Sequence, residues 1–147
     1  MAKKNKLSLS VQYACNDAAP PLRPFVRRCV QASCESDAQV TVRFVAAAEG
    51  RALNRDWRGK DYATNVLSFP YATEPAVLGD LAICTPVVLK EARAQGKTAD
   101  AHFAHLIVHG MLHLQAYDHE TGLADEQRME AKEREILARL GYPDPYA

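Results

Sequence analysis

The chain has 147 residues, 48% of them hydrophobic, and its 18 Lys/Arg balance 18 Asp/Glu to a formal net charge of zero. This suits one domain, residues 1–147, with a real core. No apolar run reaches the roughly 18 residues of a membrane span, the basic start lacks the apolar stretch of a secretory signal, and neutrality argues against a strong non-specific nucleic-acid binder. The neutral sum hides an asymmetry: residues 1–60 carry eleven Lys/Arg against five Asp/Glu, and residues 61–147 carry seven against thirteen. Cys15, Cys29, Cys34 and Cys84 form no C-x-x-C pair and read as reduced thiols of a cytosolic protein.

Leu7–Val11 alternates apolar and polar residues, the period of a half-buried strand. After a turn-rich break at Asn16–Pro21, Leu22–Ala32 predicts a helix with Phe25, Val26, Cys29 and Val30 inward. Gln39–Val45 is the clearest strand, with Val40, Val42 and Phe44 on one face. A short helix follows over Ala46–Arg55. Asp56–Ala76 has no helical period and reads as a long, functional loop holding a short strand at Asn65–Phe69. Gly79–Cys84 is a further strand, and Pro86 opens a helix ending near Gln95–Gly96. Gly122–Leu140 is the last helix, with Met129, Ile136, Leu137 and Leu140 inward and Gly141 as its stop. The order predicts an α/β (α+β) single domain: a mixed sheet of about four strands packed with about five helices.

The chemistry concentrates in TADAHFAHLIVHGMLHLQAYDH, Thr98–His119. Thr98 is a natural N-cap, and from Ala99 to Tyr117 only Asp100 is formally charged, so this helix belongs inside the domain. His102, His105, His109 and His113 fall within roughly 80° of arc, a stripe expected to face a cleft. His109 and His113 are one turn apart and can grip one ion, and His119 follows if the chain turns back near Gln115–Ala116. Three imidazoles with an open fourth position describe a catalytic zinc site, one Zn2+ per chain. The spacing is that of the long zinc-protease signature, but Gly110 stands where that signature has its general-base Glu, and Ala116 where it has a turn glycine. An empty place at Gly110 disfavours peptide hydrolysis and spares an anionic substrate a like charge, worth roughly 4 kcal/mol at 4 Å and an effective dielectric near 20.

HGMLHLQAYDH resembles the H-G-x-L-H-L-x-G-Y-D-H signature of the YbeY family, bacterial metal-dependent endoribonucleases of rRNA maturation. Ala116 takes the place of that signature's glycine. Leu53–Pro70 resembles the family's second block, with Trp57 where Tyr is usual and Asn65 where Asp is common. Leu78–Ile83 and Leu140–Tyr146 (LGYPDPY) are also similar to family segments. The resemblance implies a zincin-like metal helix beside the sheet, a cleft between them, and Arg58 as the catalytic arginine. It also implies action on single-stranded rRNA, at the 3′ end of 16S rRNA and in ribosome quality control. The partners would be the small ribosomal subunit and its assembly factors, in the cytoplasm and away from membranes.

A planar guanidinium at Arg58 can hold two oxygens of a phosphodiester as charge develops. Arg55 and Lys60 are candidates for substrate phosphate contacts, and Asp118 for orienting a histidine ligand. His102 and His105 read as polar packing or support for the ligands, and Trp57 and Tyr62 as surfaces for base stacking. Two alternatives stand beside the nuclease: a zinc metalloprotease-like hydrolase, and a non-catalytic ribosome-assembly factor in which zinc only holds the fold.

Overall fold

The computed structural model describes residues 5–15, 19–117 and 122–147. In chain order the elements are β1 (Leu7–Ala14), α1 (Arg23–Ser33), β2 (Ala38–Val45), α2 (Ala47–Arg58), β3 (Val66–Ala72), β4 (Val77–Cys84), α3 (Thr85–Ala94), α4 (Ala99–Leu114) and α5 (Leu123–Leu140). The strands form one mixed sheet in the order β1-β2-β4-β3. β1, β2 and β4 run parallel, and β3 pairs antiparallel with β4 as an edge strand. The edge position tolerates Pro70, whose missing N–H would weaken a central strand. The expected α/β architecture, about four strands with about five helices, is the one observed among the described residues. Among the described residues no helix is long and apolar enough to cross a membrane.

The alternation of β2 places the layers. Val40, Val42 and Phe44 are buried on one face, where the Phe44 ring meets Phe103 of α4 edge-on at 6.0 Å. Arg43 points the other way and its Nε donates to Glu49 of α2 at 2.7 Å. Helix α4 therefore lies on one face of the sheet, against β3 and β4, with α1, α3 and α5 packed around it. Its Phe103, Ile107, Val108, Met111, Leu112 and Leu114 are fully buried. Each such side chain contributes about 1.5–3 kcal/mol, so this one helix organises the core.

Two glycines permit the close approach of helix and sheet. A Cβ on Gly79 would lie 2.6 Å from Leu114 Cδ2, and one on Gly110 would lie 2.8 Å from Leu81 Cδ2. This corrects the expectation drawn from Gly110. The place its side chain would take is filled by Leu81 and Val66, so the glycine serves packing, and no vacancy is kept there for an anionic substrate.

Two helix ends bear on the site. Helix α2 runs to Arg58 rather than Arg55, because Gly59 adopts a left-handed conformation (φ 70°) and its N–H closes on Arg55 O at 3.1 Å. Arg58 is thus the last residue of a helix and not part of a loop, and β3 takes much of the remaining stretch. Helix α4 is capped by Thr98, whose Oγ1 accepts from Ala101 N–H at 3.1 Å. It ends with Ala116 at φ 72°. There Ala116 N–H donates to His113 O at 3.1 Å and Tyr117 N–H to Leu112 O at 2.9 Å. That paired closure normally recruits glycine, and alanine accepts it at a cost of about 1–2 kcal/mol.

Candidate active site

The four histidines of α4 share one face; His109 and His113 line a cleft beside the sheet edge, and His105 lines a smaller cavity of about 250 Å³ with Lys97 and the C-terminal segment. His102 is buried, and its Nε2 pairs with Glu91 Oε1 at 2.9 Å; Glu91 also accepts from Asn65 Nδ2 at 3.1 Å. Burial lowers the His102 pKa and outweighs the opposing pull of Glu91. His105 is covered by the C-terminal segment: its ring meets Tyr146 edge-on at 5.4 Å. The Nδ1 atoms of both rings are buried and unpartnered among the described residues. His102 thus packs as a polar core residue, and His105 lies within reach of Glu133 and Tyr146.

His109 and His113 line a cleft of about 380 Å³ together with Arg58, Lys60, Tyr62 and Asn65. Their Nε2 atoms converge to 3.2 Å. Behind them stands Glu133 of α5, a carboxylate with no exposed surface, whose Oε1 accepts from His109 Nδ1 at 2.6 Å and lies 3.6 Å from His105 Nε2. Its Oε2 accepts from the Tyr146 hydroxyl at 2.5 Å. Burial alone would raise the Glu133 pKa; the contacts from His105, His109 and Tyr146 overcome it and hold the carboxyl at about 2. Tyr146 is shifted the opposite way, well above its ordinary value, by burial and by the Glu133 carboxylate. An ionised Glu133 keeps a proton on His109 Nδ1, which leaves the Nε2 lone pair directed at His113.

The C-terminal segment that delivers Tyr146 is itself tied down. Asp144 pairs with Arg134 at 3.1 Å, Lys97 Nζ donates to Pro145 O at 3.1 Å, and Tyr146 N–H donates to Asp144 Oδ1 at 2.8 Å.

Among the described residues, His105, His109 and Glu133 form a group able to hold a metal ion, with ligand atoms all within 4.8 Å of one another. The structure thus gathers His109, His113, Arg58 and Lys60 around one cleft. It does not bring Arg55 there: that side chain is exposed and pairs with its neighbour Asp56 at 3.2 Å. His119 and Asp118 lie outside the described residues. Glu133 and Tyr146 are the residues that sequence reasoning missed. Glu133 had a signal, a charge inside the apolar stripe Met129–Ile136–Leu137 of α5. Tyr146 had none beyond its place in LGYPDPY.

The cleft's electrostatics are one-sided. Of the described residues that line it, Arg58 and Lys60 carry positive charge and none is acidic. This matches the chain's relatives. The profile of the family "Endoribonuclease YbeY" matches residues 13–141. An Endoribonuclease YbeY of Polaromonas naphthalenivorans is 55% identical over 148 residues, covering 97% of each chain. The chain belongs to the Endoribonuclease YbeY family. It is accordingly an enzyme of the nuclease type, a hydrolase. Endoribonuclease YbeY proteins of Aromatoleum aromaticum (55% identity over 97% of this chain and 94% of the relative) and Burkholderia pseudomallei (55%, 96% and 80%) are similarly related. Among solved structures, the solution structure of TM1509 from Thermotoga maritima is similar in fold. Its TM-score is 0.59 at 25% identity, over 90% of this chain and 91% of that one.

Proposed function

We propose that this chain, acting as a single domain, is a zinc-dependent endoribonuclease that cleaves single-stranded RNA in the cleft of His109 and His113. We further propose that its substrate is ribosomal RNA, at the 3′ end of 16S rRNA, in the cytoplasm beside the small subunit and its assembly factors. The observation that carries this reading is the convergence of two imidazole Nε2 atoms in a cleft whose described lining holds two cations and no carboxylate.

The residues present suit a divalent ion. His109 and His113 offer lone pairs at a separation that one small ion can span, and Glu133 presets the His109 tautomer in the way carboxylates support histidine ligands. His119 would be the third ligand on its sequence spacing. When bound, the zinc supplies Lewis acidity to the phosphodiester.

The chain's own groups do the rest. Arg58, fixed at the end of α2, donates two N–H groups to the phosphate oxygens as negative charge builds. Lys60 holds a neighbouring phosphate as a point charge. Among the described residues peptide hydrolysis finds no base: Gly110 is pressed against Leu81, and no acidic residue lines the cleft.

The test is a cleavage assay on matched single- and double-stranded RNA, before and after chelation and zinc repletion, beside a peptide substrate. Cleavage of the single strand alone, abolished by chelator and restored by zinc, is expected. Chelator-insensitive RNA cleavage, or cleavage of the peptide instead, would contradict the proposal.

A further inference from the structure

Next to the cleft runs a second groove of about 500 Å³. It shares Arg58, Lys60 and Pro70 with the cleft and adds Trp57, Phe69 and Tyr71, so the two form one continuous surface between the end of α2 and the edge strand β3. Trp57 is 67% exposed and Tyr71 is 64% exposed. Large rings left together in water mark a surface that something flat and apolar covers.

Both rings are held in place. The Trp57 indole stands edge-on to Phe69, with centroids 5.3 Å apart and planes at 71°. The Tyr71 hydroxyl donates to Asp80 Oδ2 at 2.8 Å. Rings fixed before binding lose little freedom when a partner stacks on them. The two ionised groups lining this groove are Arg58 and Lys60, both cationic.

We propose that this groove is a nucleobase subsite. A base of the single strand, away from the reacting phosphate, stacks on Trp57 with Tyr71 as the second wall, and Arg58 and Lys60 hold the intervening phosphates. Alternation of aromatic faces and cations is how proteins bind single strands without reading sequence. A duplex keeps its bases inward and cannot use such a shelf. The subsite therefore supplies strand selectivity that the cleft's charge alone does not. This inference rests on the RNA reading given under Proposed function.

Trp57 is the only tryptophan in the chain, so its fluorescence reports the subsite directly. The full chain is titrated with an eight-nucleotide oligouridylate, its abasic ribose-phosphate counterpart, a duplex of the same length, and an apolar peptide able to pair with β3. Binding, read from the anisotropy of a labelled oligouridylate because two of the variants lack the indole, and cleavage are measured in parallel for Trp57→Ala, Trp57→Phe and Tyr71→Ala, with melting temperatures as the control for folding. Quenching by the oligouridylate alone, about tenfold weaker binding in Trp57→Ala and Tyr71→Ala, and near-normal binding in Trp57→Phe are expected.

If RNA binds and is cleaved without quenching, and Trp57→Ala behaves as the parent, the subsite is wrong while the nuclease reading stands. Equal quenching by the abasic strand makes the groove a phosphate track only, and quenching by the peptide alone makes it a peptide site; either overturns the proposal. If no RNA binds at all, the underlying reading fails first.

Discussion

The two halves of α4 carry the same residue on the same face and put it to different use. His102, in the first half, is buried against Glu91, and His105 is half-buried beneath the C-terminal segment, on a cavity of about 250 Å³. His109 and His113, in the second half, face a cleft walled by Arg58 and Lys60. Periodicity alone cannot make that distinction, because 3.6 residues per turn aligns all four. What covers each ring decides it. Glu133 sits at the boundary, with one oxygen close to both halves: 3.6 Å from His105 and 2.6 Å from His109. A buried carboxylate thus converts a run of polar core residues into a directed pair, with His109 Nε2 aimed at His113.

The largest effect should come from removing the cleft's charge while leaving the histidine helix intact. Arg58→Ala should lower RNA cleavage by at least about a hundredfold, the scale of losing a preorganised donor to a developing anion. Its place at the exposed end of α2 limits the stability cost to about 1 kcal/mol or less. Arg58→Lys should recover little, since a point charge does not reproduce a two-pronged contact. Steady-state cleavage read beside thermal unfolding checks this, and an unfolded Arg58→Ala would make the residue structural.

The next effect is on metal affinity. Glu133→Gln should weaken zinc binding by about 10- to 100-fold, and Tyr146→Phe by a smaller factor, because the first removes the negative charge behind His109 and the second only a donor to Glu133. Chelator competition measures both. Equal affinity in all three proteins would show that His109 needs no orientation from behind.

The smallest effect lies at the end of the helix. Ala116→Gly relieves a left-handed alanine and should raise stability by about 1 kcal/mol without changing zinc stoichiometry. Denaturant unfolding gives the sign, and a loss of stability would mean that the added backbone freedom of glycine outweighs the strain.

What could be read beforehand follows the range over which each signal acts. The histidine spacing, the Thr98 cap and the alternation in β2 are local, and the folded chain keeps all three. The Gly59 stop was local as well, but the stretch before it carries Arg55, Asp56, Trp57 and Arg58 and shows no apolar stripe, so the last turn of α2 read as loop. Gly110 misled because spacing along a helix does not say which neighbour fills the space beside it; Leu81 comes from the sheet. Glu133 is 24 residues from His109, and α5 also carries Glu126 and Glu135, both exposed. Its distinction from them is burial, which only the packing of α5 on α4 supplies.

On this reading the metal belongs to the open pair, His109 with His113, and His105 and Glu133 support that pair from behind. Zinc stoichiometry of His105→Ala, His109→Ala and His113→Ala, measured on folded protein after removal of free metal, tests it most directly. Zinc near one per chain is expected in His105→Ala and well below one in the other two. Zinc retained in His113→Ala but lost in His105→Ala would place the ion among His105, His109 and Glu133 and overturn the assignment to the open pair.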